Sequence, residues 1–375
     1  DRTDGIPLFA EELTRNVLEH QRGSHNEPTD AFAVPATLKD LLTARLDRLG
    51  PARELAQIGA VLGRSFPGTW LAGVCEITTS QLRERIEPLI EAELIIAHGE
   101  GDDSHYEFRH ALVHDAAYET LLHSRRKELH TRAAQWFEHH VPETVAAEPE
   151  RVARHWSEGE QFDEAARYWC RAGLAAAAKS AHLEAVAQLR RSIDALVQVP
   201  APESRTRELE ALLPLASSLV ATRGFASSEA HEAYERARAL CLEADDRDRL
   251  DTAVHGLFMV SSVSARANVL PLAEELLALA QESNDPGRLV AAYRSLGTTH
   301  LARAQFQLAH DVLAQGIEFA RRDDYQPTHV RHGQDQGVAC RSLSAWALCW
   351  LGKNESSAAR IDSAVREARA IDHPF

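Results

Sequence analysis

The chain has 375 residues, of which 44% are hydrophobic and 26% charged, and a net charge of −15. That length allows two or three domains with buried cores, and the composition is ordinary for a globular protein. Residues 1–140 hold 15 Lys and Arg against 23 Asp and Glu, and residues 141–375 hold 26 against 33. Neither part carries the basic footprint of a nucleic-acid binder, so no direct nucleic-acid partner is expected. Cys75, Cys170, Cys241, Cys340 and Cys349 are odd in number, widely spaced and without a C-x-x-C pair. This argues against a disulfide framework or a zinc knuckle and for a reducing, cytoplasmic setting. Apolar runs such as Leu212 to Ala216 fall far short of the roughly eighteen residues of a spanning helix, so no membrane partner is expected. The start at Asp1 and the single methionine, Met259, fit a fragment of a longer protein.

In chain order, residues 5–20 read as an amphipathic helix with Leu8, Phe9, Leu13, Val17 and Leu18 at helical spacing. Arg22 to Pro35 is apolar-poor and reads as a loop. Leu38, Leu41, Leu42, Leu46 and Leu49 mark a helix face that Gly50 ends. Pro51 sits where a first-turn proline is tolerated, and the next helix runs to Gly63. A short helix follows near Trp70. Thr79 or Ser80 is expected to cap another helix carrying Leu82, Ile86, Leu89 and Ile90. Leu94 to Ala97 and His105 to Phe108 flank a Gly/Asp-rich turn and predict a β-hairpin. Several helices followed by a hairpin suggest a winged-helix module over 36–140.

Beyond residue 140 the pattern is entirely helical, with breaks at Glu158–Gln161, Pro200–Pro202, Gly224, Asp245–Asp248 and Asp285–Gly287. Tyr293, Leu296, Gly297, Ala304, Phe306, Ala309, Leu313 and Gly316 fall at the large and small packing positions of a tetratricopeptide repeat. A second copy is expected around Ala345, Leu348, Gly352, Ile361 and Ala364, and a looser third around Trp156, Gly159, Phe162, Ala165 and Trp169. The fold class read from these patterns is mainly α, a winged helix with a β-hairpin followed by an irregular tetratricopeptide-like α-solenoid. Repeat arrays generally need a polar capping helix, and none precedes His373-Pro374-Phe375, so truncation is expected at this end too.

Chemistry-bearing patterns are sparse. His110 and His114 lie one helical turn apart beside Asp115, a spacing that can place two imidazoles on one metal. No Glu follows His110 as a metalloprotease helix requires, and no third ligand can be assigned. The stronger reading is a structural histidine bonded to a carbonyl, with no metal. His123-Ser124-Arg125-Arg126-Lys127 is the densest basic run and reads as a solvated helix start followed by Glu128. The helix from Leu82 to Glu93 sets Arg83 and Arg85 against Glu84, Glu87, Glu91 and Glu93, which would repel a DNA backbone. Trp156, Trp169, Trp346 and Trp350 are expected in the core. No nucleophile set, paired-carboxylate motif, dinucleotide fingerprint or G-x-x-x-x-G-K-[ST] phosphate loop occurs, and no catalytic residue is assigned.

One ordered series of strings is distinctive. Gly5-Ile6-Pro7-Leu8-Phe9-Ala10-Glu11-Glu12-Leu13 resembles the G-x-P-L-F-x-E-E-L string that closes the AAA-type ATPase module of STAND signalling proteins. Pro35 to Leu49, Ile58 to Phe66, Phe108-Arg109-His110-Ala111-Leu112 and Asp115-Ala116-Ala117-Tyr118 are similar to the segments that follow it. Ala221-Thr222-Arg223-Gly224-Phe225 and Gly333 to Cys340 continue the likeness into the repeats. The set is most similar to bacterial proteins in which a class III adenylate/guanylate cyclase domain precedes ATPase, winged-helix and repeat modules. Related proteins carry a LuxR-type DNA-binding output domain instead. The resemblance implies 1–35 as the end of the ATPase module, 36–140 as the winged helix and 141–375 as the repeats. It implies ATP or ADP with Mg in the full-length protein and none in this chain, where the phosphate loop is missing. Pro7 would touch adenine there, and Gly5 would allow the backbone turn. The implied function is that of a sensor: the repeats bind a protein or small-molecule signal and control upstream ATPase and cyclase domains. The alternative output is transcription through a DNA-binding domain outside the chain.

Overall fold

In the computed structural model, residues 14, 37–99, 101–264, 269–325 and 335–371 are described. Apart from Thr14, the helix expected over 5–20, with Gly5 and Pro7, lies outside them. The chain divides into two compact units, 1–168 and 169–375.

The first unit begins with α1 (Leu38–Arg48), α2 (Ala52–Leu62), β1 (Ser65–Pro67), α3 (Gly68–Val74), α4 (Thr79–Glu91), β2 (Ile95–His98) and β3 (His105–Phe108). Thr37 caps α1 by accepting from the Asp40 N–H. The cap of α4 is Thr78, one residue before the positions expected from sequence. Its extended backbone lets the hydroxyl take the Gln81 N–H while the Gln81 side chain returns to the Thr78 N–H, a reciprocal capping box. The expected hairpin forms, with Ile95 opposite Phe108 and His98 opposite His105, and its turn holds one 3₁₀ turn over Gly101–Asp103. β1 completes an antiparallel sheet of order β1-β3-β2, pairing Phe66 with Tyr106.

Phe66 is the pivot of this core. It is fully buried, 6.1 Å from Phe108 and 6.4 Å from Tyr106 between ring centroids. A methyl group on Gly59 of α2 would stand 2.7 Å from the Phe66 Cζ, so glycine there is a condition of the ring's seat. Leu41, Leu42 and Leu46 of α1 and Leu82, Ile86 and Leu89 of α4 fill the remainder. The unit continues with α5 (Ala111–Glu119), α6 (His123–His140), α7 (Pro142–Ala147) and α8 (Pro149–Glu158), and α9 (Phe162–Ala178) crosses into the second unit.

Among the described residues, the regular elements of the second unit are all helices: α10 (His182–Leu196), α11 (Glu203–Arg223), α12 (Ser228–Ala244), α13 (Arg247–Val263), α14 (Leu270–Ser283), α15 (Pro286–Ala302), α16 (Phe306–Phe319), α17 (Gln336–Trp350) and α18 (Asn354–Ile371). Each helix from α10 onward packs on the next, and α11 touches α13 as α15 touches α17. Except between α16 and α17, the connections are short, so consecutive helices form hairpins. Several end on residues that tolerate left-handed backbone: Gly224 (φ 80°), Asp245 (φ 52°) and Asn284 (φ 51°).

Small residues set the spacing inside these pairs. Methyl groups on Gly173 and Gly297 would stand 2.5 and 2.4 Å from Leu189 Cγ and Leu313 Cγ on the following helix. Both glycines lie sixteen residues before their leucines, the interval of the tetratricopeptide notch read for Gly297. The looser third copy is thus displaced from its expected register: its notch is Gly173 in α9, whereas Gly159 lies after α8 against Thr131.

Candidate functional site

Among the residues singled out by sequence, His110 and His114 do not converge. His110 precedes α5 with extended backbone, while His114 lies one turn inside it. His114 Nε2 meets the Ala60 carbonyl at 3.1 Å and Nδ1 meets the Asp115 carboxylate at 2.9 Å, so both ring nitrogens are engaged. Among the described residues, no group of three His, Cys, Asp or Glu is placed to hold a metal. The basic run at the start of α6 is matched by carboxylates. Arg125 reaches Glu54 (3.0 Å) and Glu128 (2.6 Å), and His123 and Lys127 share Glu160 (3.0 and 2.5 Å).

The first unit contains a polar cavity of about 310 Å³ that sequence reading missed. α2 contributes Ala60 to Leu62, α5 His114 and Tyr118, α6 His130, and α8 Arg151, Arg154, His155 and Glu158; Glu148 and Glu150 also line it. Tyr118 Oη lies 2.9 Å from His130 Nε2, and His130 Nδ1 lies 2.9 Å from His155 Nδ1. Burial, and then the Arg126 charge, lower His130 to about 4. Burial lowers His155 well below its ordinary range, aided by His130, Arg151 and Arg154. Both imidazoles are therefore neutral near pH 7. Burial and the facing Glu158 raise the Tyr118 phenol. Tyr118, His130 and His155 come from three separate helices, so no sequence spacing links them.

Four of the thiols are not activated. Burial raises Cys75 and Cys340 to about 12, and Cys170 and Cys241 to about 11, which keeps them protonated.

Trp156 and Trp169 are buried as expected. Trp346 and Trp350 are not: they are 63% and 71% exposed. The two are four residues apart on α17, on the side opposite the buried Ser344 and Leu348. Trp350 stacks on Phe306 at the start of α16, with centroids 5.5 Å apart and planes 9° from parallel. Leu308 is also exposed on α16. The sequence pattern erred because Trp346 and Trp350 share the helical period of the core residues but fall on the other face. Another concavity, of about 250 Å³, lies between α11, α12 and α13, floored by Leu209 and Leu240 and rimmed by Arg205, Glu243, Asp246 and Arg249.

No protein-family model matches this chain. An uncharacterized protein of Rhizobium meliloti (strain 1021) is 28% identical over 240 residues, which are 62% of this chain and 23% of that protein. The chain thus spans less than a quarter of that relative's length. Among solved structures, a STAND-type signal transduction ATPase with a tetratricopeptide repeat sensor from Pyrococcus horikoshii matches 96% of this chain and 56% of its own, at 11% identity and TM-score 0.41. BtubC from P. vanneervenii matches 68% of this chain and 95% of its own, at 15% identity and TM-score 0.45. Aspartyl phosphate phosphatase F from Bacillus subtilis matches 91% and 87%, at 10% identity and TM-score 0.41.

Proposed function

We propose that this chain is the regulatory, signal-sensing portion of a longer STAND-type signalling ATPase. Its helical repeats bind a protein or small-molecule signal, and the first unit passes that event to an ATPase core that binds ATP or ADP with Mg. In that longer protein Pro7 contacts adenine and Gly5 allows the turn, and the output is cyclic-nucleotide synthesis by a class III cyclase domain. The ordered strings from Gly5 to Cys340 support this reading, as does the small share of its curated relative that the chain spans. The helix-strand-helix-helix-hairpin order from α2 to β3 supports the winged-helix assignment of the relay.

The observation that carries the sensor role is the aromatic ledge of Phe306, Trp346 and Trp350. Trp346 and Trp350 are exposed beside the half-buried Phe306, and exposed aromatics contribute large contact area at small entropic cost, which suits recognition and contributes little to folding. A signal bound there changes output only by preferring one state of the ATPase core over the other.

The test is cyclic-nucleotide production by the full-length protein with and without the double substitution Trp346→Ala/Trp350→Ala. Loss of signal-dependent change, with basal production and fold retained, is the expected result. Unchanged signal response removes the ledge from the mechanism, and an absence of any cyclic nucleotide product leaves transcription as the output to pursue.

A further inference from the structure

The polar cavity of the first unit has a neutral inner end and a charged outer end. At about 310 Å³ it falls at the lower limit of small-molecule sites, which run from about 300 to 1,000 Å³. That is room for a molecule of amino-acid size and too little for a peptide segment. At the inner end His130 and His155 are 4% and 5% exposed, and burial keeps both imidazoles uncharged near pH 7. The contact with His130 takes Nδ1 of His155, and His155 Nε2 makes no hydrogen bond among the described residues. With one proton shared between the two Nδ1 atoms, this Nε2 donates in one tautomer and accepts in the other. Beside the rings, Ala60 to Leu62 at the end of α2 form an apolar wall. An uncharged side chain with a short aliphatic stem suits this end.

The outer end is set by α8. Glu150, Arg154 and Glu158 are spaced four residues apart and so form one row along the helix. Arg154 and Glu158 are exposed, so the cavity opens to solvent on this side. Arg154 stands one turn from each carboxylate, yet no ion pair joins it to either. Arg151 is held by Glu148 through bonds of 2.6 and 3.0 Å, so that pair is already closed. The row therefore alternates minus, plus, minus over about 12 Å. A simple anion entering here would be repelled by Glu150 and Glu158, and a simple cation by Arg154. A ligand carrying both charges close together meets an opposite charge at each.

We propose that this cavity binds a free α-amino acid with an uncharged side chain. Arg154 takes the carboxylate through its planar fork, Glu158 takes the ammonium, and the side chain enters beside α2 to meet His155 Nε2. The first unit then carries a metabolite site of its own, which does not depend on the sensor reading of the repeats. Glu158 also faces the Tyr118 phenol. An ammonium on Glu158 weakens its hold on the phenol proton, so binding is felt along the Tyr118–His130–His155 chain.

The experiment uses the full chain and its Arg154→Met and Glu158→Gln variants. Both side chains are exposed, so neither change opens the core. The common amino acids are tested one at a time by thermal shift at millimolar concentration, and those that raise the melting point are titrated by calorimetry. Glutamine, asparagine and threonine are expected to bind ahead of aspartate, glutamate, lysine and arginine. For the tightest binder, the amide form that lacks the carboxylate should bind the parent about tenfold more weakly and R154M no more weakly than the free acid. The N-acetyl form should lose about the same factor against the parent and nothing against E158Q. Ring-nitrogen NMR should show His155 Nε2 shifting on saturation. The site is overturned if no amino acid binds, or if binding is unchanged in both variants. An amide or an N-acetyl form that binds the parent as tightly as the free amino acid overturns the assignment of a doubly charged ligand. None of these results bears on a signal bound by the repeats, so failure here leaves the proposed function standing.

Discussion

The two units solve the same packing problem with different reach. In the first, Phe66 on a three-residue strand is seated by residues about forty positions later in the sequence, Tyr106 and Phe108, and by a glycine on α2. In the second, helices pack chiefly on the one immediately before or after, as Gly297 meets Leu313, with the contacts of α11 on α13 and of α15 on α17 reaching only one helix further. Non-local assembly concentrates the energetics in a few side chains, whereas neighbour-to-neighbour assembly spreads them along the array. Polar groups follow the same division. The first unit links its buried histidines to one another, and the second leaves Arg294 without a counter-charge among its described residues.

The sharpest way to break this contrast is Phe66→Ala, which removes a fully buried ring from the first core. It should cost about 4 kcal/mol in urea unfolding, with exchange protection lost across β1, β3 and α2 together. A smaller loss confined to β1 would mean that the first unit is also built locally. The second test is acid. Unfolded histidine takes up a proton near pH 6.5, while folded His130 resists until about pH 4. Stability is therefore complete above pH 6.5 and falls as pH drops toward 4, by about 3 kcal/mol for this group, with His155 adding in the same direction. His130→Gln should flatten that slope in denaturation midpoints measured across the window; an unchanged slope would place the acid sensitivity elsewhere.

Gly297→Ala comes next. Its new methyl must displace Leu313 from 2.4 Å, a cost of about 2 kcal/mol, and hydrogen exchange should loosen α15 and α16 while leaving α11 protected. Uniform loosening from α10 to α18 would show the array to be a single cooperative block. The smallest effect is expected for Trp346→Ala, about 0.5 kcal/mol or less by urea midpoint, because that ring covers little of the interior. A cost comparable with that at Gly297 would make the ledge part of the fold.

Much of the helical architecture could be read from sequence, and the reasons are local. Breaks such as Gly224 and Asp245–Asp248 coincide with helix ends because their residue types suit left-handed or capping backbone. Leu82, Ile86 and Leu89 fixed the buried face of α4 by spacing alone. β1 escaped because three residues ending in Pro67 show no alternation, and the strand exists only through its pairing with β3. The polar cavity escaped for a similar reason: Tyr118, His130 and His155 are brought together by tertiary packing, and no spacing rule links them.

The Tyr118–His130–His155 chain has one further consequence. Between two Nδ1 atoms 2.9 Å apart only one can carry the proton, so the tautomer of one ring dictates that of the other. The phenol is bound by the same logic through His130 Nε2. Either Tyr118 donates to His130 and every link points toward α8, or it gives its proton to the Glu158 carboxylate, accepts from His130, and every link points back. The three side chains therefore behave as one unit with two orientations. Replacing Tyr118 by Phe would leave His130 Nε2 without that partner and remove the phenol's say in which orientation prevails.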